Sequence, residues 1–269
     1  MAVVAGIEAL DASFGRLFVV VGVFDGLHRG HLYLLRHLRR EAARRDARPA
    51  VVTFDHHPDE ILTGAAPALL CDPQERLERL AVAGVAVTVV QTFDVALRMT
   101  PFDAFVRRVA DRAPLAGFLM TPDAAFGFER RGTPEAVRDL GRSMGYDVAL
   151  VPPLELDGRP IRSADIRAAI AAGDLAGAAR ILGRAVSITG RARPLASGTA
   201  LEFDLPVALP PLGAYAVVVQ RAGASTELRR TLQVEPAGVT LQPALRVSPG
   251  ARVRARLPVR DPAATIRHS

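Results

Sequence analysis

The stretch "VGVFDGLHRGH", Val21 to His31, decides how the first half of the chain is read. It closes an apolar run that starts at Leu17, turns through Asp25 and Gly26, and carries His28 and His31 three residues apart. A strand ending at Val23 or Phe24 and a helix starting near Arg29 or Gly30 would set both histidines on one face of the helix mouth. Backbone N–H groups there lack intrahelical partners and the helix dipole is positive, which is where a polyphosphate is held. Two imidazoles beside it can donate hydrogen bonds to phosphate oxygens, and Gly30 takes away a side chain that would block close approach. The arrangement suits phosphoryl chemistry without a lysine.

Outward from that stretch, apolar runs alternate with amphipathic ones. Leu17–Val23, Ala50–Phe54, Ala86–Val90, Leu115–Met120 and Asp147–Val151 are expected strands. His31–Ala43, Asp72–Ala83, Pro101–Arg112 and Pro134–Met144 are expected helices between them, the third capped by Thr100 with Pro101 in its first turn. Such alternation predicts an α/β domain with a parallel sheet, whose ligands sit at the carboxyl ends of the strands. Two more helices, Ser163–Ala172 and Asp174–Leu182, close this half. After Arg184 the pattern changes to "AVSITGRAR", "GAYAVVVQR", "ELRRTLQVE" and "ARVRARLPV", separated by Pro and Gly. These predict a small antiparallel β-barrel or sandwich. The expected domains are therefore residues 1–184 and 185–269.

Composition narrows the function. The formal charge is +6, and all 34 basic residues are arginine, spread along the chain rather than gathered into one block. That spread argues against a nucleic-acid partner. A single cysteine, Cys71, excludes an intramolecular disulfide and fits a reducing compartment. The longest N-terminal apolar run is too short to span a bilayer and no basic leader precedes it, so the expectation is a cytoplasmic protein without a membrane partner. Five of the six histidines fall in the first 57 residues, but no HExxH or cysteine pair accompanies them, and no protein-built metal site is expected.

Three further motifs follow the first in order. "TFDHHP" spans Thr53–Pro58, "TPDAAFGFERRG" spans Thr121–Gly132, and "IRSADIRAAIAAGDLAGAARILGR" spans Ile161–Arg184. With "GVFDGLHRGH" they resemble the G-x-F-D-G-x-H-x-G-H, T-F-[DE]-P-H-P, G-x-[DN]-F-x-F-G and I-S-S-T-x-I-R elements of bacterial FAD synthetases, a branch of the HxGH nucleotidyltransferase superfamily. The resemblance implies a Rossmann-like nucleotidyltransferase domain that transfers adenylate from ATP to FMN, giving FAD and pyrophosphate with Mg²⁺. Carried over residue by residue, it makes His28, His31 and Arg167 the catalytic groups at the ATP phosphates. Gly22, Val23, Phe24, Asp25, Gly26 and Gly30 shape the nucleotide loop, and Ser163 binds at its ATP end. His57 flanks the substrate phosphate or flavin, and Asp123, Phe126 and Gly127 face the flavin. From the residues alone, His57 also reads as a turn histidine before Pro58, Phe126 as a core aromatic and Arg167 as a solvated helix arginine.

The sequence departs from the family pattern at defined places. Arg162 and Ala164 stand where the last motif has Ser and Thr; Thr121, Ala124 and Ala125 replace the glycine, the aromatic and its neighbour on the flavin side; His56 replaces a proline. The second half resembles the riboflavin kinase barrel of the bifunctional members, yet Leu201–Ala208 reads L-E-F-D-L-P-V-A, without the Pro-Thr-x-Asn that holds nucleotide and Mg²⁺ in that kinase. A degenerate, inactive kinase module is expected. Adenylyl transfer to another phosphorylated acceptor, or non-catalytic nucleotide or flavin binding, are the alternative functions.

Overall fold

The computed structural model describes residues 1–221 and 227–258. Contacts divide the chain into two compact units, one made of 1–67 with 76–161 and the other of 68–75 with the chain from 162 onward.

The first unit is a six-stranded parallel sheet covered on both faces. Its strands are β1 (Ala2–Ala5), β2 (Leu17–Val21), β3 (Arg48–Phe54), β4 (Val87–Gln91), β5 (Leu115–Met120) and β6 (Asp147–Leu150), in the order β1-β4-β3-β2-β5-β6. Helices α1 (Arg29–Arg44), α2 (Pro58–Thr63), α3 (Pro73–Val82), α4 (Val95–Arg98), α5 (Phe102–Ala110) and α6 (Pro134–Met144) connect them. Strand side chains alternate between two cores. Leu17 and Val19 join Val52, Phe118 and the apolar face of α5, while Phe18 and Val20 join Val51, Leu119 and the Leu35–Leu38 face of α1. A strand buried on both faces reads as a continuous apolar run, which is why β2 was legible. The order reverses between β2 and β5, and ligands bind in the crevice at such a switch point.

Local chemistry moves several expected ends. β2 stops at Val21 rather than Val23, because Phe24 takes a left-handed backbone (φ 55°). Thr100 does not cap α5: its hydroxyl donates to the Ala96 carbonyl at 2.8 Å, at the end of α4, and Pro101 stands at the α5 cap position. β1, a short half-exposed edge strand, and α2 have too few residues to show a period. A two-stranded ribbon, β7 (Glu155–Leu156) and β8 (Arg159–Pro160), completes the unit.

The second unit is a closed antiparallel barrel of β9 (Val186–Leu195), β10 (Gly198–Glu202), β11 (Gly213–Arg221), β12 (Glu227–Glu235), β13 (Gly238–Gln242) and β14 (Arg252–Leu257), in the order β10-β13-β12-β11-β14-β9. All four expected strand segments lie in it; Val259, at the end of the last, falls outside the described residues. Contacts group α7 (Ser163–Ala171) and α8 (Leu175–Leu182) with the barrel, whereas the sequence-based boundary leaves them in the first domain. The reason is packing: Ile166, Ile170, Ala178 and Leu182 are buried in the same apolar core as Val217, Leu232 and Leu241.

The segment 68–75 belongs here as well. Leu70 is buried in that core, Leu69 pairs in parallel with Val207, and Glu75 is wholly buried. Ser187 and Thr189 hydroxyls donate to its carboxylate at 3.1 and 2.7 Å, and Arg254 lies 3.1 Å away. A buried carboxylate needs such partners.

Candidate functional site

The turn after β2 is built by its glycines. Gly22 gives up its side chain to the Phe24 ring, which lies 3.1 Å from where a Cβ would be, and Gly26 takes φ 74° inside the tight turn Asp25–Leu27. Phe24, Asp25 and Leu27 are buried. His28 then caps α1: its Nδ1 accepts from the His31 backbone N–H at 3.3 Å, so in the neutral ring the proton sits on Nε2. The two imidazoles stack with centroids 3.6 Å apart and planes 17° from parallel, and the Phe24 ring lies 5.1 Å from His31. The pair is thus held at the positive end of a sixteen-residue helix.

Gly30 lies directly against the His28 ring. A Cβ there would meet His28 Cε1 and Nδ1 at 3.2 Å and Ile161 Cβ at 3.5 Å. The glycine makes room for the His28 ring.

A cavity of about 480 Å³ opens beside this turn, within the first unit. Val21, Gly22 and Val23 form one wall, Phe54, Pro58 and Leu62 another, Phe93, Leu97 and Thr100 a third, and the segment Ala125–Arg130 a fourth. A mostly apolar pocket of several hundred cubic ångströms is the kind that takes a small molecule or cofactor. Phe126 both lines it and packs on Phe105 and Phe118, at 5.4 and 5.9 Å, so the aromatic read as a core residue is also part of the cavity wall. Gly127, with φ 77°, has no alternative, since a Cβ would come within 2.6 Å of the Phe102 backbone. Asp123 is not among the residues lining the cavity; it accepts from the Thr121 hydroxyl at 2.7 Å, and its carbonyl accepts from Arg130 at 3.3 Å.

His57 sits next to the lining residue Pro58 and caps α2, its Nδ1 accepting from the Asp59 N–H at 3.2 Å. The turn role read from the sequence is therefore present. Asp55, two residues earlier, accepts from the Phe93 N–H at 3.1 Å and the His56 N–H at 2.7 Å. Burial pushes its carboxyl up, but these bonds and the one with Thr92 outweigh it and hold the acid below its ordinary range.

One residue went unread in the sequence. Arg76 is buried and its guanidinium donates to the Val23 carbonyl at 3.1 Å and the Phe54 carbonyl at 2.6 Å. Its partners lie 53 and 22 residues away, and no local pattern announces such a contact.

Ser163 and Arg167 belong to the second unit, on α7. Arg167 is half-buried and donates from Nε to the Ala68 carbonyl at 2.7 Å, which a solvated helix arginine does not do. Arg162 stands at the cap position of α7 and makes no side-chain capping bond, where a serine would. Among the described residues no helix is long and apolar enough to cross a membrane.

Comparison with known proteins matches these features to one family. The FAD synthetase family profile covers residues 11–165. A bifunctional riboflavin kinase/FMN adenylyltransferase of Pseudomonas fluorescens is 32% identical over 238 residues, 84% of this chain and 75% of that protein. Proteins of the same description from Haemophilus influenzae and Escherichia coli K12 are each 31% identical, over 71% and 64% of this chain, and the chain spans only 63% and 56% of their lengths. Among solved structures, one described as a macrolide-efflux protein from Streptococcus pneumoniae superposes with a TM-score of 0.73 over 95% of this chain and 88% of that one; at 22% identity this likeness shows the fold alone. With the profile running through the histidine turn, the cavity and the entry to α7, and a relative matched over three quarters of its length, the chain belongs to the FAD synthetase family.

Proposed function

We propose that the protein transfers the adenylyl group of Mg·ATP to the phosphate of FMN, giving FAD and pyrophosphate. One observation carries this reading: Gly22 and Val23, which line the cavity of about 480 Å³, lead directly into the turn that carries the stacked His28–His31 pair. The phosphate of FMN is already an anion, so attack on the α-phosphorus needs alignment and charge neutralisation rather than a covalent enzyme intermediate. His28 and His31 supply hydrogen-bond donors at a helix N-terminus, and the family motif assigns Arg167 and Ser163 to the same nucleotide. In this reading Mg²⁺ enters with the ATP phosphates as part of the substrate.

The barrel, in this reading, phosphorylates nothing. Leu201–Ala208 lacks the kinase motif, and its end is engaged in backbone pairing: Leu69 N–H donates to the Pro206 carbonyl and Ala208 N–H to the Leu69 carbonyl, at 2.8 and 2.9 Å. A cytoplasmic location and the absence of a nucleic-acid partner belong to the same proposal. Purified protein with Mg·ATP and FMN is expected to yield FAD and pyrophosphate, with riboflavin yielding neither FMN nor ADP, and with His28→Ala or His31→Ala abolishing turnover. No FAD and no pyrophosphate from a protein that still binds ATP would refute the choice of acceptor. A second reading, a different phosphorylated acceptor, draws on Ala125 in the cavity wall, where the family pattern is altered. A screen of acceptors by pyrophosphate release distinguishes the two.

A further inference from the structure

Arg76 is 7% exposed, and the two arms of its guanidinium reach Val23, in the turn after β2, and Phe54, the last residue of β3. The last registered pair of β2 and β3 is Val21 with Val52. Beyond it the strands part, and Gly22, Val23 and Phe54 become cavity wall. Arg76 spans the gap, bonding Val23 on one side and Phe54 on the other. Thr53, also buried, adds a bond from its hydroxyl to the Val23 carbonyl at 2.9 Å. Val23 immediately precedes Phe24, whose left-handed backbone starts the histidine turn.

We propose that Arg76 is a positioning residue for the adenylyl transfer and for acceptor binding. Its fork fixes two things at once: the direction in which β2 delivers the His28–His31 pair, and the width of the cavity between Val23 and Phe54. The inference rests on the proposed adenylyl-transfer function. Only a planar, rigid fork holds two carbonyls on separate segments of the chain; a lysine ammonium is a point donor on a flexible stem and can satisfy one of them well. Methionine fills the stem's volume and makes neither bond.

Arg76→Lys and Arg76→Met test the proposal, with Thr53→Val, which removes a bond to Val23 and leaves the fork. Misplacement on the scale of an ångström costs up to about 100-fold in rate. We expect kcat about 10-fold lower in Arg76→Lys and about 100-fold lower in Arg76→Met, with the KM for FMN raised and that for Mg·ATP little changed, and a loss of about 3-fold in Thr53→Val. A merely structural arginine would lower the folded fraction and leave kcat and KM per folded molecule unaltered. Kinetic constants normalised to folded protein that match the wild type therefore overturn the proposal. If the wild type makes no FAD, the functional reading fails by itself, and FMN binding by fluorescence quenching still decides the role of Arg76. A folded Arg76→Met variant is expected to bind FMN about 10-fold more weakly, and an unchanged Kd overturns the proposal.

Discussion

Gly30→Ala separates the stability of the histidine turn from its function. The added Cβ would sit 3.2 Å from two atoms of the His28 ring, whereas carbon atoms in comfortable contact lie about 3.5–4.0 Å apart. The ring must retreat by at least about 0.3 Å. It has little freedom to do so, being buried and stacked on His31 at 3.6 Å, and its capping bond is already long at 3.3 Å. Loss of that cap costs about 1 kcal/mol. Replacing a helical glycine by alanine returns up to about 1 kcal/mol, less in the first turn, and no left-handed backbone stands in the way. The two nearly cancel, so the melting temperature should move by no more than about 4 °C. Activity should not be spared: a ring displaced by a fraction of an ångström predicts about a 10-fold fall in FAD formation. Thermal unfolding and product formation by chromatography, on the same preparation, read both quantities. Wild-type activity with an unchanged melting temperature would refute the idea that Gly30 exists to seat His28. A collapse in stability would equally count against it, since the clash would then fall on the fold rather than on the ring.

Other outcomes follow from the same contacts. Glu75→Ala removes the buried partner of Arg254, Ser187 and Thr189 and should destabilise the protein by about 3 kcal/mol, read as a lower urea midpoint. Arg162→Ser restores a side-chain cap to α7 and should add about 1 kcal/mol in the same experiment. Asp55 has a folded pKa below its unfolded value, so its stabilisation is complete above about pH 4 and disappears as the pH falls through the folded value. The stability of Asp55→Asn should accordingly decline less steeply than that of the wild type between about pH 4 and pH 2, a difference that acid titration of the unfolding midpoint detects.

Much of the first unit was legible because its strands are buried on both faces and read as apolar runs, while α1 and α6 carry long amphipathic periods. The His28–His31 pair was legible as a motif, and its place at a helix mouth followed from the glycines around it. What the pattern concealed were relations at a distance. That Gly30 also makes room for the His28 ring could not be read from the sequence, because only the structure brings that ring against it. Arg76 looked like any helix arginine, one of many in a chain without lysine. β10 and β13 are five-residue strands between turn residues, too short to show an alternation, and became visible only as staves of a closed barrel. The domain boundary shifted because apolar positions on α7 and α8 reveal that they are buried, but not against which core.

The placement of residues 68–75 has a consequence for how the chain can be divided. The second unit is discontinuous: one short piece precedes residues 76–161 and the remainder follows them, so the intervening polypeptide is enclosed like a clause in parentheses. A cut at residue 184 removes the barrel strands of the core that buries Leu70, and with them the Ser187, Thr189 and Arg254 side chains that meet the Glu75 carboxylate. Evolution faces the same difficulty as the experimenter. A barrel built this way cannot be discarded by a simple stop codon, because one piece of its unit, residues 68–75, is translated before residues 76–161 and the rest after them.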